Sequence, residues 1–551
     1  MRRRIMVCFR SVIVLIGMLF ASPAVASIGE VVTTLPAPGA VPAGLALQDG
    51  RLWCADWENG TLFEIDPATG AVTREQQAPC VHPEGLASDG ERLYISEYGT
   101  GMIYAYDPET RLTVHAYRSP GGSPKGLAYG GGSLWLVDDG EDRIYELVPF
   151  DGTAKNYFKA PLGNCLGLAH DGERLWVTDR GADELYAVVP DDGTVLFLVK
   201  TLGPYPYGLA MGNDRLWSVD FERKEILALS LEADPPYRVS EEVERSFRFR
   251  YDVRNDGPGM VKTASIHLAV PYEELENQML LGPIRWDPQP DRFVEDRWGQ
   301  EIAVFAYEDL QPGATATAQY SVPVRLGELH YAFYPEDVGP LKEVPTEVRS
   351  LYTAPTSRLQ LEEEIVRETA RKVVGDETNP YWIGRKLFDW VRENLEYERV
   401  GGWDVPTTLI KRGTGSCSEY AFLYIALCRS VGLPARYEGS VVVRGDDASV
   451  DDVYHRWCEI YLPRIGWMPV DPSGGDSDWP AHQTRYFGGL ANRYIITTHG
   501  GGDSEYLSWG YNGHSVVTTE GRTTVIQEGY GVWSPAPEET SEASPSLGEA
   551  R

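Results

Sequence analysis

Cys417 lies in a sequence context that would activate a thiol for nucleophilic attack. It follows Gly413-Thr-Gly-Ser and opens a long apolar run. Ser416 and Glu419 have the Ser-x-x-Glu spacing of a helix capping box, so Ser416 is the predicted N-cap and Cys417 lies in the first turn. The free amides and the positive dipole end at that position favour the thiolate, which is the nucleophilic form. The spacing therefore predicts an activated cysteine.

Two residues further along the chain have the types needed to serve such a thiol. His455 opens a stretch that alternates as a β-strand should, and Asp471 ends the next apolar segment. A cysteine nucleophile needs a base that removes its proton and later protonates the leaving group, and the base needs a partner that fixes its tautomer. Each residue taken singly would more often serve in packing or in a turn. Their conjunction with the capped helix start predicts a catalytic triad of Cys417, His455 and Asp471.

Four segments around these residues resemble the transglutaminase-like superfamily, in the family's order of cysteine, histidine and aspartate. The resemblance covers roughly residues 355–500, and the segments are 415–421, 432–439, 455–461 and 466–472. It implies a papain-like core with Cys417 as nucleophile, His455 as base and Asp471 as the orienting residue.

Two details of this site are left as expectations. Arg456 stands where the family often has a small residue between the histidine and the tryptophan, and we expect it not to touch the chemistry. The oxyanion hole is expected to include the backbone N–H of Cys417. Tyr397 and Trp403 remain alternatives for the second donor.

The N-terminal part of the chain repeats with a period of 41 residues. Gly-Leu-Ala recurs at five glycines, each followed nine residues later by an aromatic and three further on by an acid; the glycines are Gly44, Gly85, Gly126, Gly167 and Gly208. Four short strands per period are typical of a β-propeller blade. The repeats resemble those of NHL- and lyase-type propellers. We predict a five-bladed propeller over residues 27–234, closed by a strand within residues 30–38 that pairs with the last blade.

The role of this propeller is predicted to be binding rather than catalysis. Aromatic and acidic residues that recur in every blade behave as structural residues. The residue before each repeated glycine varies, which makes these positions candidates for a face that binds a protein or a glycan: Ala43, Glu84, Lys125, Leu166 and Tyr207. A lyase would need a histidine–acid cluster, and the suggestive pair is His82 with Glu84, for which a solvated loop pair is preferred.

The remaining segments complete a multidomain fold class, an all-β propeller plus a β-sandwich followed by an α+β papain-like transglutaminase core. Alternating residues and turn signals predict an antiparallel β-sandwich spacer over residues 235–352. Helical periodicity after Pro355, with an Asn379-Pro380 helix start, marks the catalytic domain at 353–528. A tail rich in proline, glutamate and serine, residues 529–551, is predicted to be disordered.

The first 26 residues read as a signal peptide, with Arg2–Arg4, an apolar stretch and an Ala24-Val-Ala26 cleavage site. We therefore expect a secreted or periplasmic protein, cleaved near Ala26, with no membrane span. The formal net charge of −31 opposes binding to nucleic acid. A disulfide between Cys54 and Cys80 is left open, Cys428 and Cys458 fit core positions, and no cofactor or metal is predicted.

The sequence therefore predicts an exported cysteine enzyme that attacks a peptide or amide carbonyl. With water as acceptor it would be a protease or amidase, which is the first interpretation. With a lysine amine as acceptor it would be a protein-crosslinking transglutaminase. The alternatives from other classes are a non-catalytic, propeller-based binding scaffold and a propeller-based lyase.

Overall fold

A computed structural model describes residues 27–201, 203–399, 403–445 and 448–536. The predicted signal peptide and the tail from residue 537 lie outside the described residues. The chain is multidomain, as predicted, with five four-stranded sheets in its N-terminal part, a ten-stranded sheet, and a mixed helical and β domain. Within the described ranges, no helix is long and apolar enough to cross a membrane.

Twenty strands form the five propeller blades, each an antiparallel sheet of four strands. Each Gly-Leu-Ala segment lies in the first strand of its blade, and the repeated aromatic and acid lie in the second. The strands are β1 Val31–Pro36, β2 Pro42–Gln48, β3 Arg51–Asp56, β4 Thr61–Ile65, β5 Val72–Gln77, β6 Pro83–Ser88, β7 Leu93–Glu97, β8 Met102–Asp107, β9 Leu112–Arg118, β10 Pro124–Gly130, β11 Ser133–Asp138, β12 Arg143–Leu147, β13 Ala154–Lys159, β14 Cys165–His170, β15 Leu175–Asp179, β16 Glu184–Val188, β17 Val195–Lys200, β18 Pro206–Gly212, β19 Arg215–Asp220 and β20 Glu225–Leu229.

The ring closes through the N-terminal strand, as the repeat register predicts. β1 pairs with β20 and completes the last blade in the order β1-β20-β19-β18. The repeated glycines allow the inner strands to approach closely, since a Cβ on Gly167 would lie 2.0 Å from the carbonyl oxygen of Tyr207. The repeated acids bind backbone amides, and Asp56 accepts hydrogen bonds from the amides of Ala40 and Val41, each 3.0 Å long. Both repeated features are therefore structural.

The region predicted as a β-sandwich, called the sandwich below, forms one ten-stranded sheet around a very long strand, β21, which pairs with three other long strands. Its core is rich in aromatic and branched residues, including Phe247, Phe249 and Trp533. Its strands are β21 Tyr237–Ala269, β22 Glu274–Leu275, β23 Gln278–Leu280, β24 Arg285–Asp287, β25 Arg292–Glu295, β26 Glu301–Leu310 and β27 Thr315–Tyr331.

The C-terminal segment corrects two predicted boundaries. A strand runs over Gly513–Pro535 and pairs with β21, so residues 513–528 belong to the sandwich rather than to the catalytic domain. Residues 529–535, predicted as part of a disordered tail, form the end of this strand. Their backbone groups are satisfied by residues 245–251, almost 300 positions earlier in the chain. Composition does not reveal such a long-range pairing.

The helical domain follows the sandwich, and its central sheet has the order β33-β32-β30-β35. Two short 3₁₀ turns precede it, at Pro335–Asp337 and Leu341–Glu343. The helices are α1 Thr346–Tyr352, α2 Glu364–Val374, α3 Pro380–Asn394, α4 Pro406–Arg412, α5 Cys417–Ser430 and α6 Pro480–Arg485. The strands are β28 Glu396–Tyr397, β29 Thr414–Gly415, β30 Ala435–Val442, β31 Ser449–Asp451, β32 His455–Leu462, β33 Gly466–Val470, β34 Gly489–Leu490 and β35 Tyr494–Gly500, followed by the sandwich strand β36 Gly513–Pro535.

Two predicted helix starts are confirmed by their caps. Asn379 is the N-cap of α3, and its side chain accepts a hydrogen bond from the amide of Tyr381. Ser416 and Glu419 form the capping box that begins α5. α5 is buried along most of its length, which agrees with an apolar run that shows no polar face.

The helical domain also contacts the propeller directly, at the fourth blade. The backbone carbonyl of Val195 accepts hydrogen bonds from Arg385 Nη1 (3.1 Å) and Thr484 Oγ1 (2.9 Å). Buried Glu184 accepts two hydrogen bonds from Arg485 Nη2, at 2.8 and 2.7 Å. The sequence assigned the linking role to the sandwich, whereas the structure adds a direct contact through α6.

Candidate active site

Cys417 is the first residue of α5, where its backbone amide has no partner within the helix. Cys417 is half-buried, and burial alone would raise the pKa of its thiol. A hydrogen bond to His455, the charge of that imidazole and the backbone amide of Arg456 outweigh burial, so the pKa of Cys417 is lowered. The negative charge of Asp471 opposes this shift. The site therefore favours a thiolate.

The imidazole of His455 is held by Asp471. His455 Nε2 lies 2.6 Å from Asp471 Oδ2, which leaves Nδ1 as the nitrogen that can face the thiol. Burial disfavours the imidazolium, but the carboxylate of Asp471 and the thiol of Cys417 raise the pKa of His455 to about 10. The structure thus brings Cys417, His455 and Asp471 into one chain of contacts.

Asp471 is itself oriented by the loop that follows it. Its Oδ1 atom accepts hydrogen bonds from the amide and the hydroxyl of Ser473, at 3.0 and 2.7 Å. Burial works against the charged carboxylate, yet the charge and hydrogen bond of His455, with the Ser473 and Gly474 donors, keep the pKa of Asp471 below its usual value. Asp471 therefore stays ionised beside the imidazole.

Aromatic rings and a cavity surround the imidazole. The His455 ring lies 5.7 Å from both the Trp457 and the Tyr494 rings, centroid to centroid. A cavity of about 240 Å³ opens beside His455 and Asp471, and Arg485 and Arg493 line part of its wall. The cavity lies on the Asp471 side of the base, and Cys417 is not among the residues that line it.

Tyr397 is favoured over Trp403 as the second oxyanion donor. Tyr397 belongs to β28, which runs parallel to β29 just before the nucleophile. Burial and the charge of Cys417 raise the pKa of Tyr397, while a hydrogen bond from the Cys417 backbone amide opposes the rise. Tyr397 also pairs with Gly415, two residues before Cys417, whereas the Trp403 ring packs against Phe422, with a centroid distance of 6.2 Å.

Arg456, which the sequence analysis expects to stay outside the chemistry, lies close to the nucleophile in the structure. Its backbone amide helps to lower the pKa of Cys417. Its guanidinium is fully buried, which lowers the pKa of Arg456, and the charge of Cys417 is one of four that oppose this shift. Alternation along β32 puts this side chain on the face opposite His455, but the length of an arginine and the position of α5 cannot be read from that alternation.

A buried polar cluster elsewhere in the domain went unnoticed in the sequence. Glu438, Glu459 and His499 place three potential ligand atoms within 4.8 Å of one another. Arg436 Nε already lies 2.5 Å from Glu459 Oε2, and His499 Nε2 lies 2.6 Å from Glu438 Oε1. Burial raises the pKa of each glutamate to about 7 and lowers that of His499 to about 3. The guanidinium supplies the positive charge here, so we assign no cation to the cluster.

Three of the five variable propeller positions meet at the axis. Lys125 Nζ lies 2.9 Å from Glu84 Oε1, and the Tyr207 hydroxyl donates to the same oxygen. Because Glu84 and Lys125 are buried, they close the axis rather than form an open face. His82 does not pair with Glu84; its ring stacks on Trp57, with centroids 4.5 Å apart.

The six cysteines in the described residues are free, so the structure contains no disulfide between Cys54 and Cys80. Cys54 is buried in a different apolar cluster from the one that Cys80 contacts. Burial raises the thiol pKa of Cys54, Cys80 and Cys428, whereas the thiol pKa of Cys417 is lowered.

Comparison with known proteins finds a family match for the part of the chain that holds Cys417, His455 and Asp471. Residues 367–472 match the model of the transglutaminase-like superfamily. An uncharacterised protein of Haemophilus influenzae is 28% identical over 132 residues, which are 19% of this chain and 35% of that protein. The uncharacterised protein YebA of Bacillus subtilis is 26% identical over 145 residues, 22% of this chain and 20% of YebA. The match thus spans about a third of the length of the Haemophilus influenzae protein and a fifth of the length of YebA.

Two solved structures are similar at low identity. "A Putative Cysteine Protease from Cytophaga hutchinsonii" is 17% identical with a TM-score of 0.37, covering 53% of this chain and 92% of that one. The glutaminyl cyclase of Myxococcus xanthus is 18% identical with a TM-score of 0.33, covering 36% of this chain and 94% of that one. TM-scores below 0.5 leave the fold to be argued from the strands and helices above.

Proposed function

We propose that the transglutaminase-like domain of this chain is the catalytic part of an exported cysteine enzyme, most simply a protease or amidase. One observation carries the proposal: a thiol of lowered pKa at a capped helix start lies beside a partly buried histidine–aspartate pair. These groups supply the nucleophile, the base and its orienting partner that cysteine catalysis needs.

In the first half-reaction the thiolate of Cys417 attacks a peptide or amide carbonyl, and a new C–S bond forms as the C=O π pair moves onto oxygen. The Cys417 amide and the Tyr397 hydroxyl would donate to that oxyanion. The C–N bond then breaks, and the imidazolium of His455 gives its proton to the leaving nitrogen. The products are a free amine and a thioester on Cys417.

In the second half-reaction the acceptor attacks the thioester carbonyl while His455 takes the acceptor's proton. Asp471 stabilises the imidazolium that forms. The C–S bond breaks, and the thiolate returns with the imidazolium beside it. Water as acceptor releases a carboxylic acid, whereas a lysine amine leaves an isopeptide bond between two proteins.

The experiment that tests this function separates the two acceptors. Mature protein is incubated with a peptide library and with a glutamine peptide plus a labelled primary amine. New peptide termini or carboxylates indicate hydrolysis, and amine incorporation indicates crosslinking. C417A should abolish either activity, while the matched control C428A removes a buried cysteine of the same helix and should retain it. Activity that survives in C417A would contradict the proposal and leave the propeller as a binding scaffold or a lyase.

We also propose that the propeller delivers a protein or glycan to this domain. Partly exposed aromatic rings of the propeller support the idea, since Trp57 contacts Tyr98 and Tyr205 contacts Phe221, at centroid distances of 5.7 and 5.2 Å.

Export through residues 1–26 stays a prediction, and cell fractionation with N-terminal sequencing of the secreted protein would test it. Recovery of the uncleaved chain from the cytoplasm alone would contradict export.

A further inference from the structure

The Arg456 side chain is a buried cation surrounded by aromatic rings. It follows His455 in β32 and has no exposed surface. Its Cζ atom lies over four rings, at 4.2 Å from the Tyr511 centroid, 4.4 Å from Tyr437, and 4.9 Å from both Phe422 and Trp403. Ring faces attract a guanidinium through their quadrupoles.

Few polar groups compensate this charge. Nη2 donates a 2.6 Å hydrogen bond to the backbone carbonyl of Trp509. Nε and Nη1 have no hydrogen-bond partner among the described residues. No carboxylate in the described ranges forms an ion pair with Arg456, although thirty other pairs do form. Because burial of an unpaired charge is strongly unfavourable, a nearby anion would stabilise the guanidinium.

The geometry makes the thiolate of Cys417 the candidate anion, because the guanidinium packs on Phe422 of α5, the helix that begins with Cys417, and Arg456 directly follows His455 in β32. Four ionisable groups interact with the Arg456 charge, namely Tyr437, Tyr511, Cys417 and Cys458. Burial raises the pKa of the two tyrosines and of Cys458, so these three groups are neutral near pH 7. Of the four, Cys417 is the one whose pKa is lowered.

We propose that Arg456 is a positioning residue whose caged charge holds Cys417 in its anionic form and balances the negative charge through acylation. The inference rests on the proposed function. When the thiolate attacks, the negative charge moves from sulfur to the carbonyl oxygen and stays in the field of the guanidinium. The guanidinium can stabilise this negative charge across a distance, without contacting the substrate.

Other groups face the thiolate and set the background for the test. His455 favours the anion through its charge and a hydrogen bond, and the Arg456 backbone amide adds to this, while Asp471 opposes it. Tyr397 and Tyr511 also interact with the Cys417 charge. Substituting the Arg456 side chain leaves all of these groups, including the backbone amide, in place.

The experiment compares the pH midpoint of iodoacetamide alkylation at Cys417 in the mature protein and in R456M. Methionine fills an aromatic cage without a charge. We expect R456M to raise the midpoint by about one pH unit, which slows alkylation below the midpoint about tenfold. R456K, which keeps a positive charge, should lie closer to the unsubstituted protein.

R429M is the matched control. Arg429 is also buried and contacts an aromatic ring, at 6.0 Å from the Trp298 centroid, but Cys417 is not among the groups that shift its pKa. R429M should therefore lose stability without moving the alkylation midpoint. A folded R456M protein whose midpoint equals that of the unsubstituted protein would overturn the inference.

W403A provides a second route if R456M does not fold. The Trp403 ring is 37% exposed, so its removal leaves the buried packing in place and admits water to the guanidinium. Water screens the charge, and the midpoint should rise by less than in R456M. An unchanged midpoint in folded W403A would then overturn the inference. If the unsubstituted protein itself lacks low-pH alkylation, the proposed function fails instead, which is a distinguishable result.

Discussion

At the scale of single residues, the site depends on charges that stabilise one another in a buried setting. Asp471 keeps its charge because His455 and the Ser473 donors surround it. That carboxylate, with the thiol, raises the pKa of His455 to about 10. The imidazolium in turn lowers the pKa of Cys417. Each group therefore depends on the other two, and removing one changes the protonation of the rest.

D471N should separate orientation from charge. The amide can hold the imidazole but supplies no negative charge, so the pKa of His455 should fall towards its ordinary value of about 6.5. We expect turnover to drop by about a hundredfold or more, as loss of the orienting acid does in related triads. The pH at which the imidazolium deprotonates, followed by NMR of the His455 ring, checks the cause. An unchanged imidazole titration would contradict this account of Asp471.

E438Q should alter the pH dependence of stability. Burial raises the folded-state pKa of Glu438 to about 7, above an unfolded value of about 4.3. The protonated acid is therefore favoured in the folded state, and its contribution to stability is present below about pH 4.3 and lost as the pH rises through about 7.

The free energy of unfolding of E438Q, measured by urea titration from pH 4 to 8, should decline less with pH than that of the unsubstituted protein. E244Q offers a control, because Glu244 is exposed and pairs with Arg325 at the sandwich surface. Equal slopes in E438Q and the unsubstituted protein would show that Glu438 is not protonated near neutral pH.

At the scale of elements, the caps and strand ends determine where the reacting groups lie. The capping box fixes the first turn of α5, and therefore the direction of the Cys417 amide. His455 begins β32 and Asp471 follows β33, two strands that pair antiparallel. The relative placement of all three groups thus follows from one helix start and one hairpin.

S416A tests the link between cap and thiol. Loss of an N-cap costs about 1 kcal/mol of stability, and a frayed first turn would weaken the field at Cys417. N379A removes the cap of α3 in the same domain and serves as the control. Both variants should unfold more readily, whereas only S416A should raise the alkylation midpoint of Cys417. Equal midpoints in the two variants would show that the helix start does not activate the thiol.

At the scale of the whole molecule, the transglutaminase-like domain is held from two sides. The C-terminal strand returns to the sandwich and pairs along β21, and α6 docks on the fourth propeller blade through Glu184 and Arg485. α6 begins nine residues after Asp471, so this contact anchors the loop that orients the carboxylate. The fourth propeller blade is therefore joined through α6 to the loop that follows Asp471.

E184Q should weaken this connection. Glu184 is fully buried and also lies 3.0 Å from Lys200 Nζ, so loss of its charge leaves Arg485 and Lys200 without their partner. We expect turnover to fall several-fold, with proteolysis accelerated between residues 472 and 485. D309N is the control: it removes an exposed ion pair with Lys262 and should change neither turnover nor the rate of proteolysis. Unchanged proteolysis and turnover in E184Q would argue that the domains act independently.

Much of this organisation was readable in the sequence because it is local or periodic. The 41-residue repeat predicts the blades and the closing strand, and the Ser416–Glu419 spacing predicts the start of α5. Long-range features could not be predicted. The pairing of β36 with β21, the cage around Arg456 and the propeller contact of Arg485 join residues that are distant in the chain. The variation at the Glu84 position predicts a binding face, but the folded ring brings Glu84 against Lys125, which is 41 residues away in the chain.

The central claim is that Cys417 is a thiolate nucleophile activated by His455. The most direct measurement is the pH dependence of iodoacetamide alkylation at Cys417, followed by mass spectrometry, in the mature protein and in H455A. We predict rapid alkylation well below pH 8.5, the region of an ordinary thiol, and loss of this low-pH reactivity in H455A. Slow alkylation that rises only near the ordinary thiol pKa, alike in both proteins, would contradict the account.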